Sequence, residues 1–191
     1  GTSAASYAGF ALKGLVFKDI GNGTGGPSVE MQIASGQTLT CDQCEFTNMT
    51  PTARGAVGSY LTSNPGALNG TFTGCIFTQA GTVASVPMFG YRVSATHALT
   101  LNNCTLVFSG TESANFFKNQ GTFTVKNSIL ISLGSNKTLG SPSPFTESHN
   151  CYFSIGQSAD AANSIIVDDP QFVDSANSDF RLRPSSPCIN A

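Results

Sequence analysis

The sequence predicts an all-β protein in which short strand pairs stack as successive coils of a solenoid. The 191-residue chain holds 20 Gly, 23 Ser, 20 Thr and 14 Asn but only 20 charged residues, a composition unlike that of a helical bundle. One segment returns in altered form along the chain, and within it apolar and polar residues alternate with a period of two. Hydrophobic residues make up 40% of the chain, enough to bury a core.

Each copy of the recurring segment predicts a strand, a bend and a second strand. The copies read FALKGLVF from residue 10, LTCDQCEF from 39, GTFTGCIF from 70, LTLNNCTL from 99, FTVKNSIL from 123, TESHNCYF from 146 and IIVDDPQF from 165. Gly, Asn and Asp tolerate left-handed backbone angles, which places the bend at the fifth residue. The predicted bends are Gly14, Gln43, Gly74, Asn103, Asn127, Asn150 and Asp169, with Gln43 as the exception in residue type.

The positions around the bend predict one buried face and one exposed face. The residues directly after the bend are expected to point inward: Leu15, Cys44, Cys75, Cys104, Ser128 and Cys151. So are those two positions later: Phe17, Phe46, Phe77, Leu106, Leu130 and Phe153, with Phe172 in the seventh copy. A polar column of Thr40, Thr71, Thr100 and Thr124 is expected outside. Candidates for a third strand per coil are SVEMQIA, SVPMFGYRV and NFFKN.

These repeats resemble the right-handed parallel β-helix proteins of the pectin-lyase-like superfamily, and most closely bacterial surface and autotransporter-type repeats. The tail, with DPQFVD from Asp169, DFRL from Asp179 and SPCIN from Ser186, resembles the closing segment of secreted β-helix proteins. The resemblance implies a right-handed parallel β-helix of about seven rungs over residues 1–172 and a closing segment over 173–191. The fold hosts lyases, hydrolases, adhesins and structural fibres, so it leaves the function open.

Charge, hydropathy and cysteine usage exclude some partners and favour one compartment. The net charge of −2 offers no basic surface for nucleic acid, and no apolar stretch is long enough to predict a membrane span. Six cysteines in a Ser- and Thr-rich, Lys-poor chain favour an extracellular or cell-surface location. The chain starts at Gly1 without Met, so we expect a processed chain or a piece of a longer one.

The predicted outward columns do not indicate a catalytic centre, a cofactor or a metal site. Asp42 and Glu45 share a rung near Lys13, which favours a surface salt bridge over the convergent carboxylates of β-helix hydrolases or lyases. The acidic tail residues are expected to form turns and caps rather than a Ca²⁺ site: Asp160, Asp168, Asp169, Asp174 and Asp179. His97 and His149 lack neighbours at zinc-ligand spacing.

The cysteines are the disulfide candidates: Cys41, Cys44, Cys75, Cys104, Cys151 and Cys188. Cys41 and Cys44 flank one bend, Cys75 and Cys104 lie on neighbouring rungs, and Cys188 could reach Cys151; reduced, buried cysteines are the alternative. Asn-X-Ser/Thr sequons give candidate N-glycosylation sites at Asn22, Asn48, Asn69 and Asn136, whereas the sequon at Asn103 falls on a predicted bend.

An outward apolar stripe is a candidate interface: Val16, Ile76, Val107, Ile129, Ile131 and Tyr152. Either the C-terminal tail or another subunit is expected to cover it. We therefore predict a non-enzymatic extracellular module, structural or adhesive, that self-associates into a filament or array or contacts a neighbouring surface protein. The alternatives are a polysaccharide lyase or hydrolase, a glycan-binding module, and an ice-binding rod presenting the Thr column.

Overall fold

A computed structural model describes most of the repeated segments and the C-terminal tail. The described residues are 9–19, 29–30, 38–50, 57–58, 69–80, 88–89, 98–109, 115–117, 122–134, 139–140, 145–155 and 163–190. The strands in chain order are β1 (Gly9–Lys13), β2 (Val16–Lys18), β3 (Val29–Glu30), β4 (Thr38–Asp42), β5 (Glu45–Met49), β6 (Val57–Gly58), β7 (Asn69–Thr73), β8 (Ile76–Gln79), β9 (Ala98–Asn102), β10 (Thr105–Phe108), β11 (Thr122–Lys126), β12 (Ile129–Ser132), β13 (Phe145–Ser148), β14 (Cys151–Phe153), β15 (Ile165–Ile166), β16 (Phe172–Asp174) and β17 (Asp179–Leu182). Two short 3₁₀ turns, Ser175–Asn177 and Pro187–Asn190, lie in the tail.

The strands form two main parallel sheets, which confirms the predicted all-β class. The first sheet has the order β1-β4-β7-β9-β11-β13, and the second has the order β15-β14-β12-β10-β8-β5-β2. Each strand therefore pairs with the equivalent strand of the next copy, as in a solenoid. Thr40 pairs with Thr71, and Thr100 pairs with both Thr71 and Thr124, so the predicted column of threonines is present.

Left-handed residues join the strands of the two sheets, and five of the predicted bends are confirmed. Gly14, Gln43, Gly74, Asn103 and Asn127 have φ angles of 61°, 52°, 59°, 55° and 50°. The backbone N–H of each bend residue donates to the carbonyl oxygen of the residue just before the bend in the next copy. For example, the N–H of Gln43 lies 2.9 Å from the carbonyl oxygen of Thr73. These bonds stack the bends without relying on any one side chain.

The sixth copy is shifted by one residue from the predicted alignment. His149, with φ 54°, occupies the bend instead of Asn150, whose side chain is fully buried. The Asn150 amide accepts from the Ser128 N–H at 3.0 Å and donates to the Val125 carbonyl at 2.9 Å. The inward Asn150 side chain satisfies two buried backbone groups, so Asn150 is the residue after the bend. The three residues that follow it therefore point to the face opposite to the one predicted.

This shift corrects the predicted orientation of three residues. Cys151 pairs with Ile129 and lies in an outward column, whereas Tyr152 pairs with Leu130 in an inward column. Phe153 pairs with Ile131 and joins the outer face. The placement of Tyr152 in the apolar stripe and of Cys151 in the inward cysteine column was therefore wrong.

The seventh bend also differs from the prediction. β15 pairs with Cys151 and Tyr152, and the bend before it is Asn163, with φ 64°, not Asp169. Phe172 consequently lies in an antiparallel hairpin of β16 and β17, outside the coils. The sequence spacing misled the alignment because the last coil is only 14 residues long, counted from His149 to Asn163.

A continuous aromatic core runs between the two sheets. The rings of Phe17, Phe46 and Phe77 stack face to face with centroid distances of 4.9 Å for each neighbouring pair. The core is extended by buried residues from two of the candidate third strands, where Phe89 and Phe117 form a parallel bridge. In the third candidate, β3 pairs with β6. Each coil thus contributes apolar groups that only its neighbours can bury.

Candidate functional site

The C-terminal tail (residues 168–190) covers the outer face of the second sheet. Phe172 and Phe180 pack edge to face at 5.3 Å and cluster with Val107 and Ile131, which are 2% and 0% exposed. Ile76 and Ile129 are half-buried at the border of the same cluster. The tail is therefore the cover for this part of the predicted stripe, whereas Val16 at its end stays exposed.

One disulfide, between Cys151 and Cys188, fastens the tail to the coils. The two Cα atoms lie 5.5 Å apart, within the usual range for a disulfide. The bond depends on the outward orientation of Cys151, which in turn depends on His149 taking the bend. This is the pairing that the sequence offered for Cys188.

The other two candidate pairs, Cys41 with Cys44 and Cys75 with Cys104, were wrong, because all four residues are buried free thiols. Cys75 Sγ donates to the Cys41 carbonyl at 3.5 Å, and Cys104 Sγ donates to the Phe72 carbonyl at 3.4 Å, so the sulfurs bond to the preceding rung. Burial, with smaller contributions from Cys44 and Cys75, raises the pKa of Cys41 to about 12. The pKa of Cys104 is also raised, first by its hydrogen bond with Cys75 and then by burial. Cys41 and Cys104 are therefore poor nucleophiles.

The acidic residues form local ion pairs and caps. Lys13 Nζ lies 2.8 Å from Asp42 Oδ2, so the predicted surface salt bridge is present, and Asp42 raises the pKa of Lys13. In the tail, Asp174 accepts from the Asn177 N–H at 3.3 Å, and Arg181 binds the Asp179 carboxylate at 2.6 Å. No group of three or more metal-ligating side chains occurs in the part of the chain that the structure describes. Asp160 and His97 lie outside that part.

A polar cluster that the sequence did not predict lies between the last coils. Tyr152, only 4% exposed, donates its hydroxyl to Glu147 Oε2, and the Asn150 amide donates to the same hydroxyl at 3.2 Å. Burial, and secondly the hydrogen bond to Glu147, raise the pKa of Tyr152 well above its usual value. The misaligned sixth copy placed Tyr152 outside and therefore hid this cluster.

The candidate glycosylation sites fall in different environments. Asn48 is exposed, and its Nδ2 lies 2.5 Å from Asp19 Oδ1 on the preceding rung. Asn69 begins β7 and is half-buried. Asn103 occupies a bend, as expected. Asn22 and Asn136 lie outside the described residues.

Both main sheets end in strands with one unpaired edge among the described residues. β1 and β2 form one end, and β13 and β15 form the other. Large apolar side chains are exposed at both ends: Val16 is 60% exposed and Ile166 is 53% exposed. Leu15 is exposed next to Val16. Unpaired parallel edges with apolar side chains are surfaces that favour further strand pairing.

No family model, curated protein or solved structure matches the chain. None of the helical segments in the described ranges has the length and apolarity needed to cross a membrane. The geometry itself defines a class: an all-β, parallel, solenoid-like protein with a disulfide-fastened tail. Its two candidate functional features are the sheet edges at the ends and the surface that borders the tail.

Proposed function

We propose that this protein is an extracellular structural module, a right-handed parallel β-helix of the pectin-lyase-like kind that assembles end to end. The observation that carries the proposal is the unpaired edge at each end of the second sheet, at β2 and at β15, in the described residues. The disulfide supports an oxidising compartment outside the cytoplasm. Adhesion to a neighbouring surface protein would use the same edges.

The two ends are complementary because the coils repeat. β1 occupies the same sheet position in its coil as β13 does in a later one, and β2 corresponds to β15. A second copy placed with its β2 beside the β15 of its neighbour would continue the second parallel ladder. Such a head-to-tail contact does not close on itself, so it generates a rod that grows with concentration.

The side chains at the ends favour this contact. Val16 lies in the same outward column as Cys151, and therefore as Ile165, while Ile166 continues the inward column of Phe17 and Tyr152. In a stack, exposed Val16 would lie beside half-buried Ile165, and exposed Ile166 would lie beside the half-buried ring of Phe17. Both faces of the second sheet would thus bury apolar groups that now face water.

The test is the mass in solution as a function of protein concentration, measured by light scattering and sedimentation. We expect the mean mass to rise above that of the 19.8 kDa monomer. Val16→Asp, which places a like charge beside Glu45 in the contact, and Ile166→Lys, which would bury an unpaired charge, should each weaken assembly by at least about ten-fold. Val173→Lys is the matched control, since Val173 is an exposed valine in the tail, away from both edges. A monomer at every concentration, or equal effects of all three variants, would refute the proposal.

A further inference from the structure

A cleft lies between the second sheet and the first part of the C-terminal tail. Its volume is about 290 Å³, close to the lower end of the usual range for small-molecule sites, so it has room for a ligand of amino-acid size. Leu133 and Phe153 line it from the coils, and Asp168, Asp169 and Arg183 line it from the tail. The described lining residues do not include the exposed apolar groups at the sheet edges used in the proposed assembly.

The cleft holds charges of both signs that are not paired with each other. Asp168 forms no hydrogen bond or ion pair with a described residue, and Asp169 Oδ1 accepts from the Gln171 N–H at 2.8 Å, which leaves Oδ2 available. Arg183 Nη2 donates to the Val173 carbonyl oxygen at 3.1 Å, so most of its five N–H donors remain available. The ion pairs among the described residues lie elsewhere. One ligand could therefore meet anionic and cationic groups together.

Hydrogen bonds of the tail hold these charged groups in place. The backbone N–H of Arg183 donates to the Gln171 carbonyl oxygen at 2.9 Å, and Ser186 Oγ donates to the Pro170 carbonyl oxygen at 2.6 Å. The segment that carries Arg183 is thereby fixed beside the turn that carries the two carboxylates. A ligand would lose little free energy in ordering this lining.

The remaining lining of the cleft is largely apolar. Leu133 is 47% exposed and Phe153 is half-buried, while Phe172 packs into the cluster under the tail. An apolar group of a ligand would cover Leu133 and Phe153 and remove apolar surface from water. The cleft thus matches a ligand with a cation, an anion and an apolar group.

We propose that this cleft binds a free α-amino acid with an apolar side chain. The ammonium group would pair with Asp168 and Asp169, the carboxylate with Arg183, and the side chain would pack on Leu133 and Phe153. A simple amine would leave the arginine without a partner. A simple carboxylate would face the two aspartates. The tail then has a second role beyond covering the sheet, because it supplies the charged groups of the site.

The test is saturation-transfer NMR on the whole chain with L-leucine and L-phenylalanine, which detects binding on the ligand signal whatever the size of the assembly. At least one of the two amino acids should bind at millimolar concentration. Phenethylamine, which lacks the carboxylate, and 3-phenylpropanoate, which lacks the ammonium group, should each bind at least about five-fold more weakly than L-phenylalanine. Failure of both amino acids to bind, or equal binding of either analogue, would overturn the proposal.

Two variants connect the binding to the cleft. Arg183→Gln should weaken the affinity by at least about five-fold, because the carboxylate loses charge-assisted hydrogen bonds. Arg181→Gln is the matched control, since Arg181 is also exposed in the tail, but its guanidinium binds Asp179 and it does not line the cleft. Asp168→Asn should weaken the affinity as well, and it breaks no contact with a described residue, so the fold should be kept. Equal effects of the two arginine variants, or unchanged binding by Asp168→Asn, would contradict the site.

Discussion

Asn150 shows how one side chain can set the orientation of the residues that follow it. Its amide bonds the Ser128 N–H and the Val125 carbonyl, so it lies inside the solenoid while His149 makes the bend. Asparagine is a usual left-handed residue, and the sequence pattern therefore favoured Asn150 for the bend. Only the positions of the neighbouring backbone groups reveal that its amide is needed inside. This choice places Cys151 where Cys188 can reach it.

Tyr152 gives a prediction for the alkaline range. Because burial and Glu147 raise its pKa, the folded state holds the phenol proton more tightly than the unfolded state, whose tyrosine pKa is about 10. This stabilisation is complete below pH 10 and is lost as the pH rises further, by about 1.4 kcal/mol per pH unit. We expect the difference in unfolding free energy between wild type and Tyr152→Phe to be constant from pH 7 to about pH 9 and to shrink above pH 10.

The comparison is made by urea unfolding of both proteins at each pH. The raised thiol pKa of Cys41 and Cys104 also lowers stability in alkali, but both proteins share those thiols, so they cancel in the difference. A difference that stays the same up to pH 12 would show that Tyr152 does not hold its proton in the folded state.

At the scale of the element, the stacked aromatic column is the part of the fold that the sequence predicts best. Phe17, Phe46 and Phe77 recur at one position of the repeat, and their rings stack at 4.9 Å. The prediction succeeded there because each copy keeps an apolar residue three positions after a left-handed bend. It failed in the sixth copy, where Glu147 and Asn150 hold inward positions that are apolar or sulfur-bearing in most other copies.

Substitutions in this column should follow the position in the stack. Phe46→Ala should reduce the free energy of unfolding by about 3–5 kcal/mol, because it opens a cavity between two rings. Phe46→Leu should cost less, since Leu106 and Leu130 occupy the same column in later coils. Phe17→Ala is the positional control, because Phe17 lies in an edge strand and is only half-buried. Urea unfolding measures the loss of stability in all three variants. An equal loss for Phe17→Ala and Phe46→Ala would contradict a core in which each ring is buried by the coils on either side of it.

At the scale of the whole molecule, the tail behaves as a separate hairpin fastened to the coils by apolar contacts and one disulfide. Its resemblance to a closing segment was visible in the sequence. The surface on which the tail docks was not visible in the sequence, because Val107 and Ile131 could equally have been covered by another subunit. The cleft beside the tail was also hidden, since it combines residues that are distant in the chain.

Loss of the disulfide should loosen the tail selectively. Cys188→Ser is expected to lower the unfolding free energy by about 2–4 kcal/mol and to speed trypsin cleavage after Arg181, which lies on the exposed side of the tail. Cys44→Ala, at a buried free thiol, is the control and should not speed cleavage after Arg181 selectively. Equal cleavage of the two variants at the tail would show that the apolar contacts alone hold it.

The central claim is that one copy continues the second sheet of the next, and cross-linking tests it most directly. Val16 and Ile165 share an outward column, so a head-to-tail stack places them on adjacent strands, whose spacing of about 4.8 Å suits a disulfide. The account predicts a ladder of covalent multimers when Val16→Cys and Ile165→Cys are combined and oxidised mildly. The pairing of Val16→Cys with Ile166→Cys, one residue out of register, should give little. Monomer alone, or equal ladders from both pairs, would contradict the account.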